Sequence, residues 1–311
     1  MMNKTPIWLD TDTGVDDAFA ILAALWSENA QLVGSSSVVG NVAHSKTFVN
    51  ARNVLSYFGH PEIKVYPGAE APLVIPVQDA AFIHGNNGLG GVVLPESTAD
   101  KETVKAWDAI YQAARTHKDL EIVAVGPLTN IALTLMKYPD LDRYVRRIVI
   151  MGGSAEGGAW TPCGEFNICV DPHAAEVVMN CGIPIVMFGL DVTLKAYMDE
   201  TDMRDIAAME TAAGKLFTDC MGLATIVNSK RIGKKAVAVH DVLPVLSYDH
   251  PELFTGVMCG LHVETRGSIT LGRTVTDIWS ECKFPRQNAQ VILQVDRERF
   301  ARIFKDILLR V

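Results

Sequence analysis

Short apolar runs alternate with longer segments of helical period along most of this chain. The first run, residues 6–9 (Pro6-Ile7-Trp8-Leu9), has the length and apolarity of a buried strand. Residues 18–25 follow with the near-continuous apolarity of a packed helix. The pattern then repeats. Runs at 31–39, 63–66, 121–125, 147–151 and 183–188 read as strands. Segments at about 45–58, 101–117, 128–136 and 172–179 read as helices, the last with Pro172 near its first turn, where a locked φ is favourable. Beyond Asp191 the alternation weakens. Residues 201–230 are mostly helical with a break expected near Gly214, an apolar helix follows Asp241, strands at 259–264 and 291–295 are expected to be antiparallel, and a helix at 297–309 closes the chain.

Alternating strands and helices predict an α/β fold, with a mainly parallel central sheet covered by helices on both faces and a helical C-terminal part. No linker or internal repeat divides the sequence, so residues 1–311 read as one domain. Two long irregular stretches interrupt it, one from Pro67 to about Ser97 and one from Gly152-Gly153 through Asn167. The first holds the glycine-rich run His84 to Gly91, and long loops of this kind commonly serve as lids. The predicted strands end in glycine or polar residues at Asp10, Asn41, Val125-Gly126, Gly152-Gly153 and Asp191. In a parallel sheet these ends share one edge, where α/β proteins bind their ligands.

The stretch Asp10-Thr11-Asp12-Thr13-Gly14-Val15-Asp16-Asp17 stands on that edge, between the first strand and the first helix. Its four carboxylates repel one another and raise one another's pKa unless something compensates them. Helix capping is one explanation for Asp16 and Asp17. A bound cation explains all four, and carboxylate oxygens without a neighbouring cysteine favour a hard ion, Ca²⁺ or Mg²⁺, over zinc. Asp241 carries the same two readings, as cap of the next helix or as ligand.

Composition narrows the class. The 311 residues are 49% hydrophobic, enough for a large core, and the net charge of −8 argues against a nucleic-acid-binding surface. The six cysteines (Cys163, Cys169, Cys181, Cys220, Cys259, Cys282) show no zinc spacing and read as reduced core residues of a cytoplasmic protein. No signal peptide and no membrane-spanning run is apparent.

The Asp10–Asp17 turn also resembles the signature of the inosine–uridine-preferring nucleoside hydrolases. Further matches follow in order: Val38-Val39-Gly40-Asn41, His84-Gly85, Gly126-Pro127-Leu128-Thr129-Asn130, Met151-Gly152-Gly153, Glu165-Phe166-Asn167, Asp171-Pro172, Gly189-Leu190-Asp191-Val192-Thr193, His240-Asp241 and Thr270 to Asp277. The resemblance spans nearly the whole chain and implies a nucleoside-hydrolase-like fold with a Rossmann-like core. It implies hydrolysis of the N-glycosidic bond of ribonucleosides, in nucleoside salvage, by a homodimer or homotetramer. It further implies Ca²⁺ held by Asp12, Asp17, Asp241 and the backbone carbonyl of Val125, with Asp12 also the general base and His240 the acid that protonates the departing base. Asp16, Asn41, Glu165 and Asn167 would contact the ribose, His84 would be a second contact to the leaving group, and Asp10 would orient the turn from behind. Three places depart from the family pattern: Ala159-Trp160 where many relatives carry an asparagine, His84-Gly85-Asn86-Asn87 where several carry an acid and a serine, and 224–231, which lacks the tyrosines some members use against the base.

Two alternatives stand beside this reading. A Mg²⁺-dependent phosphohydrolase of the haloacid-dehalogenase type also begins with a strand ending in two aspartates one residue apart, but keeps its later acidic pair far downstream, unlike Asp16-Asp17. A non-catalytic nucleoside- or sugar-binding protein would have no need of both Asp12 and His240.

Overall fold

The computed structural model describes residues 4–278 and 283–311. Its eleven described strands are Thr5–Thr11 (β1), Ala30–Ser37 (β2), Val65–Pro67 (β3), Leu120–Ala124 (β4), Val145–Met151 (β5), Ile185–Phe188 (β6), Tyr197–Asp199 (β7), Ala236–Ala238 (β8), Phe254–Val263 (β9), Thr274–Asp277 (β10) and Ala289–Val295 (β11). Nine of them form one sheet in the order β10-β9-β11-β6-β5-β4-β1-β2-β3. Every pair from β3 across to β11 is parallel, and β9 and β10 complete the far edge antiparallel. β7 and β8 pair separately.

The chain enters the sheet at β1, builds outwards through β2 and β3, then returns to the other side of β1 with β4. The switch in direction therefore falls between β1 and β4. At such a point the connections leave in opposite directions and open a crevice at the carboxyl ends of the strands. The Asp10–Asp17 turn is at the end of β1, and Val125-Gly126 ends β4 beside it, with Val125 N donating to the Asp10 carbonyl at 2.8 Å.

Strand β1 is buried on both sides, which is why its sequence shows no polar alternation. Ile7 and Leu9 pack with the helices Asp17–Trp26 and Arg297–Leu308. Trp8 points to the opposite layer with Ala106–His117, Thr129–Lys137 and Pro172–Met179, and its Nε1 donates to Ser36 Oγ at 2.8 Å.

The predicted elements are present with shifted ends. The helix expected at 101–117 begins at Ala106, after an extended Lys105. Gly214 does not break the helical stretch. It lies inside Ala212–Cys220, where its N–H is accepted by Thr211 Oγ1, and the breaks fall before Thr211 and at Met221. β11 is antiparallel only to β9 and parallel to β6. β7, β8 and β10, of three or four residues, are too short to leave a periodic signal. No described helix is long and apolar enough to cross a membrane. Cys163, Cys169, Cys181 and Cys220 are free thiols; Cys282 lies outside the described residues.

Leu9 is completely buried immediately before the acidic turn. Leu9→Ala should lower unfolding free energy by about 3 kcal/mol, as removal of a fully packed leucine does. Urea denaturation would measure it, and a loss below about 1 kcal/mol would show that the layer relaxes around the gap.

Candidate active site

The acidic turn is built inwards. Asp17, at the first position of its helix, is fully buried. Thr11 Oγ1 donates to its Oδ1 at 2.5 Å, and Gly14 N and Asn41 Nδ2 donate to its Oδ2 at 2.8 and 2.9 Å. Asp12 receives Asn41 N on Oδ2 at 2.7 Å, while its buried Oδ1 has no partner. Gly40 and Gly126 close around this carboxylate, and a Cβ on either would run into it. Asp10 faces away from the turn. Its Oδ1 accepts from Asn130 Nδ2 at 2.8 Å and from Ser36 Oγ, and its Oδ2 is unpaired.

Capping explains neither Asp16 nor Asp241. Each occupies the N-cap position of a helix, and neither side chain makes a capping hydrogen bond. Instead, oxygens of Asp16, Asp17 and Asp241 lie within 4.8 Å of one another. At that separation two charges repel by about 3 kcal/mol even at an effective dielectric of about 20. Three such pairs approach the whole stability of an ordinary domain, about 5–15 kcal/mol.

The titration behaviour reflects this crowding. Burial, reinforced by Asp17, pushes the Asp16 carboxyl up to about 7. Burial and then Asp17 hold Asp12 well above the usual carboxylate range, and burial followed by Asp16, Asp17 and Asp12 does the same to Asp241. Burial also raises Asp17, against the opposing bonds from Thr11 and Gly14. Asp10 reaches about 7 through burial, opposed by Ser36 and Asn130. An all-oxygen cluster with an unpaired Asp12 oxygen suits a hard dication, whose charge would remove the repulsion.

A pocket opens above the cluster. His240 lines it, with Nδ1 2.8 Å from Thr193 Oγ1, which leaves Nε2 free of that contact. His84 also lines it, and Val15 N donates to its Nδ1 at 3.2 Å, so the neutral ring carries its proton on Nε2. Burial lowers both imidazoles, His240 to about 4 with help from the charge of Arg231, and His84 to about 3 with help from His240. The loop bearing His84 is folded onto the acidic turn, where Asn50 Nδ2 joins the carbonyls of Thr13 and Asn87 at 3.1 and 2.9 Å.

All the expected site residues except Asp10, Asp12 and Asp17 line this pocket, and Asp12 and Asp17 lie close enough to the lining Asp241 to raise its carboxyl. Some are already committed to structure. Asn41 holds Asp12 and Asp17. Glu165 caps Phe166–Val170, accepting from Asn167 N at 2.8 Å, Gly153 N at 2.9 Å and Ile168 N at 3.2 Å. Asn167 Nδ2 donates to the Val125 carbonyl at 2.9 Å and to that of Met151 at 3.1 Å. The compact carboxylate group contains Asp16, which the sequence reading placed on the ribose, while Asp12 adjoins it.

Sequence reasoning assigned no role to Asn228, Arg231, Thr193 or the aromatic wall. Ala224, Asn228 and Arg231 face the pocket from Gly222–Ile232. Their spacing of four and three residues is the signal that places them on one helix face. Trp160 packs edge-on against Phe166 at 4.8 Å and stacks with Phe82 at 6.0 Å.

The fold is that of the nucleoside hydrolases, hydrolases of N-glycosyl compounds. A plant nucleoside hydrolase superposes with a TM-score of 0.91 at 28% identity, covering 99% of this chain and 100% of its own. A purine-preferring ribonucleoside hydrolase from Gardnerella vaginalis gives 0.91 at 34% identity, covering 98% of each chain. Residues 7–302 match the family model described as inosine-uridine preferring nucleoside hydrolase, and the chain belongs to that family. It is 39% identical over 308 residues to the non-specific ribonucleoside hydrolase RihC of Klebsiella pneumoniae and 40% identical to that of Escherichia coli O7:K1, over 98% of each chain in both cases. This membership sets aside the phosphohydrolase and the non-catalytic binding protein.

Metal-stripped protein should lose stability as pH rises from about 6.5 to 8. Carboxyls with folded pKa values raised to about 7 bind protons that the unfolded chain does not hold in that window. The depressed histidines act in the opposite sense, but mainly below about pH 6.5, where unfolded histidine protonates. Thermal melts in chelator should therefore show a lower Tm at pH 8 than at pH 6.5, and a flat profile would contradict the buried repulsion.

Proposed function

We propose that this protein is a Ca²⁺-dependent ribonucleoside hydrolase that releases ribose and free base in cytoplasmic nucleoside salvage. The observation that carries the reading is the unpaired, buried Asp12 Oδ1 beside three further clustered carboxylates under a pocket lined by His84 and His240. The donor set of Asp12, Asp17, Asp241 and the Val125 carbonyl, with Asp16 adjoining, offers the oxygen ligands and high coordination that Ca²⁺ accepts. Bound there, the ion would supply Lewis acidity towards water and the vicinal hydroxyls of a ribose.

The chain's own groups divide the remaining work. Asp12 Oδ1 is buried and free of protein hydrogen bonds, which supports Asp12 as the base that takes a proton from the attacking water. Asp16 accepts from the 2′-hydroxyl, and Asn41, Asn167 and Glu165 border the sugar. Carboxylates beneath the ring favour an oxocarbenium-like transition state, in which the bond to the base is largely broken. His240, anchored through Nδ1, turns Nε2 to the departing base, and His84 Nε2–H is a second donor on that side. Trp160, Ile83 and Met221 make much of the remaining wall apolar, which supports acceptance of both purine and pyrimidine bases. The name non-specific, carried by the RihC relatives, supports the same breadth.

A reducing-sugar assay with inosine, uridine, cytidine and adenosine, before and after chelation and Ca²⁺ restoration, tests the reaction. Chelator-sensitive ribose release is expected, and no release from any nucleoside with Ca²⁺ bound would overturn the proposal. Asp12→Ala should lower kcat by about a thousandfold or more, the scale of a lost base that also borders the ion. His240→Ala should cost about a hundredfold on inosine and less than about tenfold on p-nitrophenyl riboside, whose leaving group needs little protonation. Equal losses on both substrates would remove His240 from the acid role.

A further inference from the structure

The segment joining β5 to the helix Phe166–Val170 supplies Ala159 and Trp160 to the pocket wall. It contains Gly152, Gly153, Gly157, Gly158 and Gly164, so its unbound ensemble is broad and ordering it is costly. Its own bonds are local: at the tip the amides of Ala159, Trp160 and Thr161 donate to the Gly164 carbonyl at 3.0, 3.0 and 3.3 Å, and near the root Ser154 Oγ donates to the Glu156 carbonyl at 2.9 Å.

Distant residues hold the rest. Asp191 accepts from Ala155 N at 2.7 Å, Glu156 N at 2.9 Å and Ser154 Oγ at 3.2 Å. Thr274 Oγ1 accepts from Ser154 N at 2.8 Å and donates to its carbonyl at 2.6 Å. Those contacts grip the root. Arg273 instead spans both arms. Its Nη2 donates to the Ala155 carbonyl at 2.7 Å, and its Nη1 donates to Gly157 at 2.7 Å and to Cys163, on the returning arm, at 3.3 Å. Arg231 Nη2 adds one bond to the Ala159 carbonyl at 3.0 Å. Arg273 is half-buried and does not line the pocket.

We propose that Arg273 is a positioning residue that clamps the 154–164 loop and thereby sets how tightly the pocket binds its nucleoside. The inference rests on the hydrolase reading above. The acidic turn is fastened separately by Thr11, Gly14 and Asn41, so loosening the loop leaves the reacting groups in place. Binding that is equal in ground and transition states is what the wall provides, and its loss raises KM while kcat holds. A lysine keeps the charge but cannot reproduce a planar fork on three carbonyls.

The test compares wild type, Arg273→Ala and Arg273→Lys in Ca²⁺, by inosine kinetics and by amide hydrogen exchange. We expect KM to rise about tenfold in the alanine variant and about threefold in the lysine variant, with kcat within about twofold of wild type. Deuterium uptake should quicken across 155–164 in both variants and stay unchanged across 10–17. The lysine variant serves where the alanine variant does not fold. Unchanged uptake at 155–164, or an unchanged KM despite faster uptake, overturns the proposal. A fall in kcat at constant KM, the mark of a smaller folded fraction, also overturns it. Should wild type release no ribose, the hydrolase reading fails, and the exchange result alone upholds or overturns the clamp.

Discussion

Like charges held together away from water govern this molecule. Asp10, Asp12, Asp16, Asp17 and Asp241 are all buried, three of them with oxygens within 4.8 Å of one another. Desolvation alone opposes ionisation, and mutual repulsion adds to it. The fold tolerates the arrangement by surrounding the cluster with donors at fixed points. Thr11, Gly14 and Asn41 hold two of the carboxylates, and Ser36 with Asn130 holds Asp10. The unpaired oxygens of Asp10 and Asp12 mark where that supply ends.

Topology explains why these groups meet. The switch of direction between β1 and β4 brings the acidic turn beside Val125, although more than a hundred residues separate them. Asp241 and His240 arrive from the connection after β8, and Glu165 from the segment after β5. Each sits at or near the carboxyl end of a strand, so a short shift in any connection moves a functional group without disturbing the core. The clamping of the 154–164 loop by Asp191, Arg273 and Thr274 shows the cost of that freedom, since a glycine-rich wall needs partners drawn from elsewhere in the fold.

The sheet and its order of elements were legible because buried parallel strands read as continuous apolar runs, as in Ile7-Trp8-Leu9 and Ile122-Val123-Ala124. The acidic turn was legible because four aspartates in eight residues have few structural uses. What escaped was short or non-periodic: β7, β8 and β10, and the break at Thr211, which depends on one hydroxyl accepting from Gly214 N. Glu165 was read as a ribose contact from resemblance, and its capping of Phe166–Val170 became visible only with the backbone in place. Asn228 and Arg231 were overlooked because the absence of tyrosines drew attention from the face these residues share.

Every role proposed for the site requires the carboxylate cluster to hold a cation. Isothermal titration of Ca²⁺ into chelator-stripped wild type and into Asp241→Ala measures that directly. One ion per chain should bind wild type, and loss of a buried carboxylate ligand should weaken it by about a hundredfold or more. Absence of binding to wild type, or equal binding to both proteins, would contradict the account.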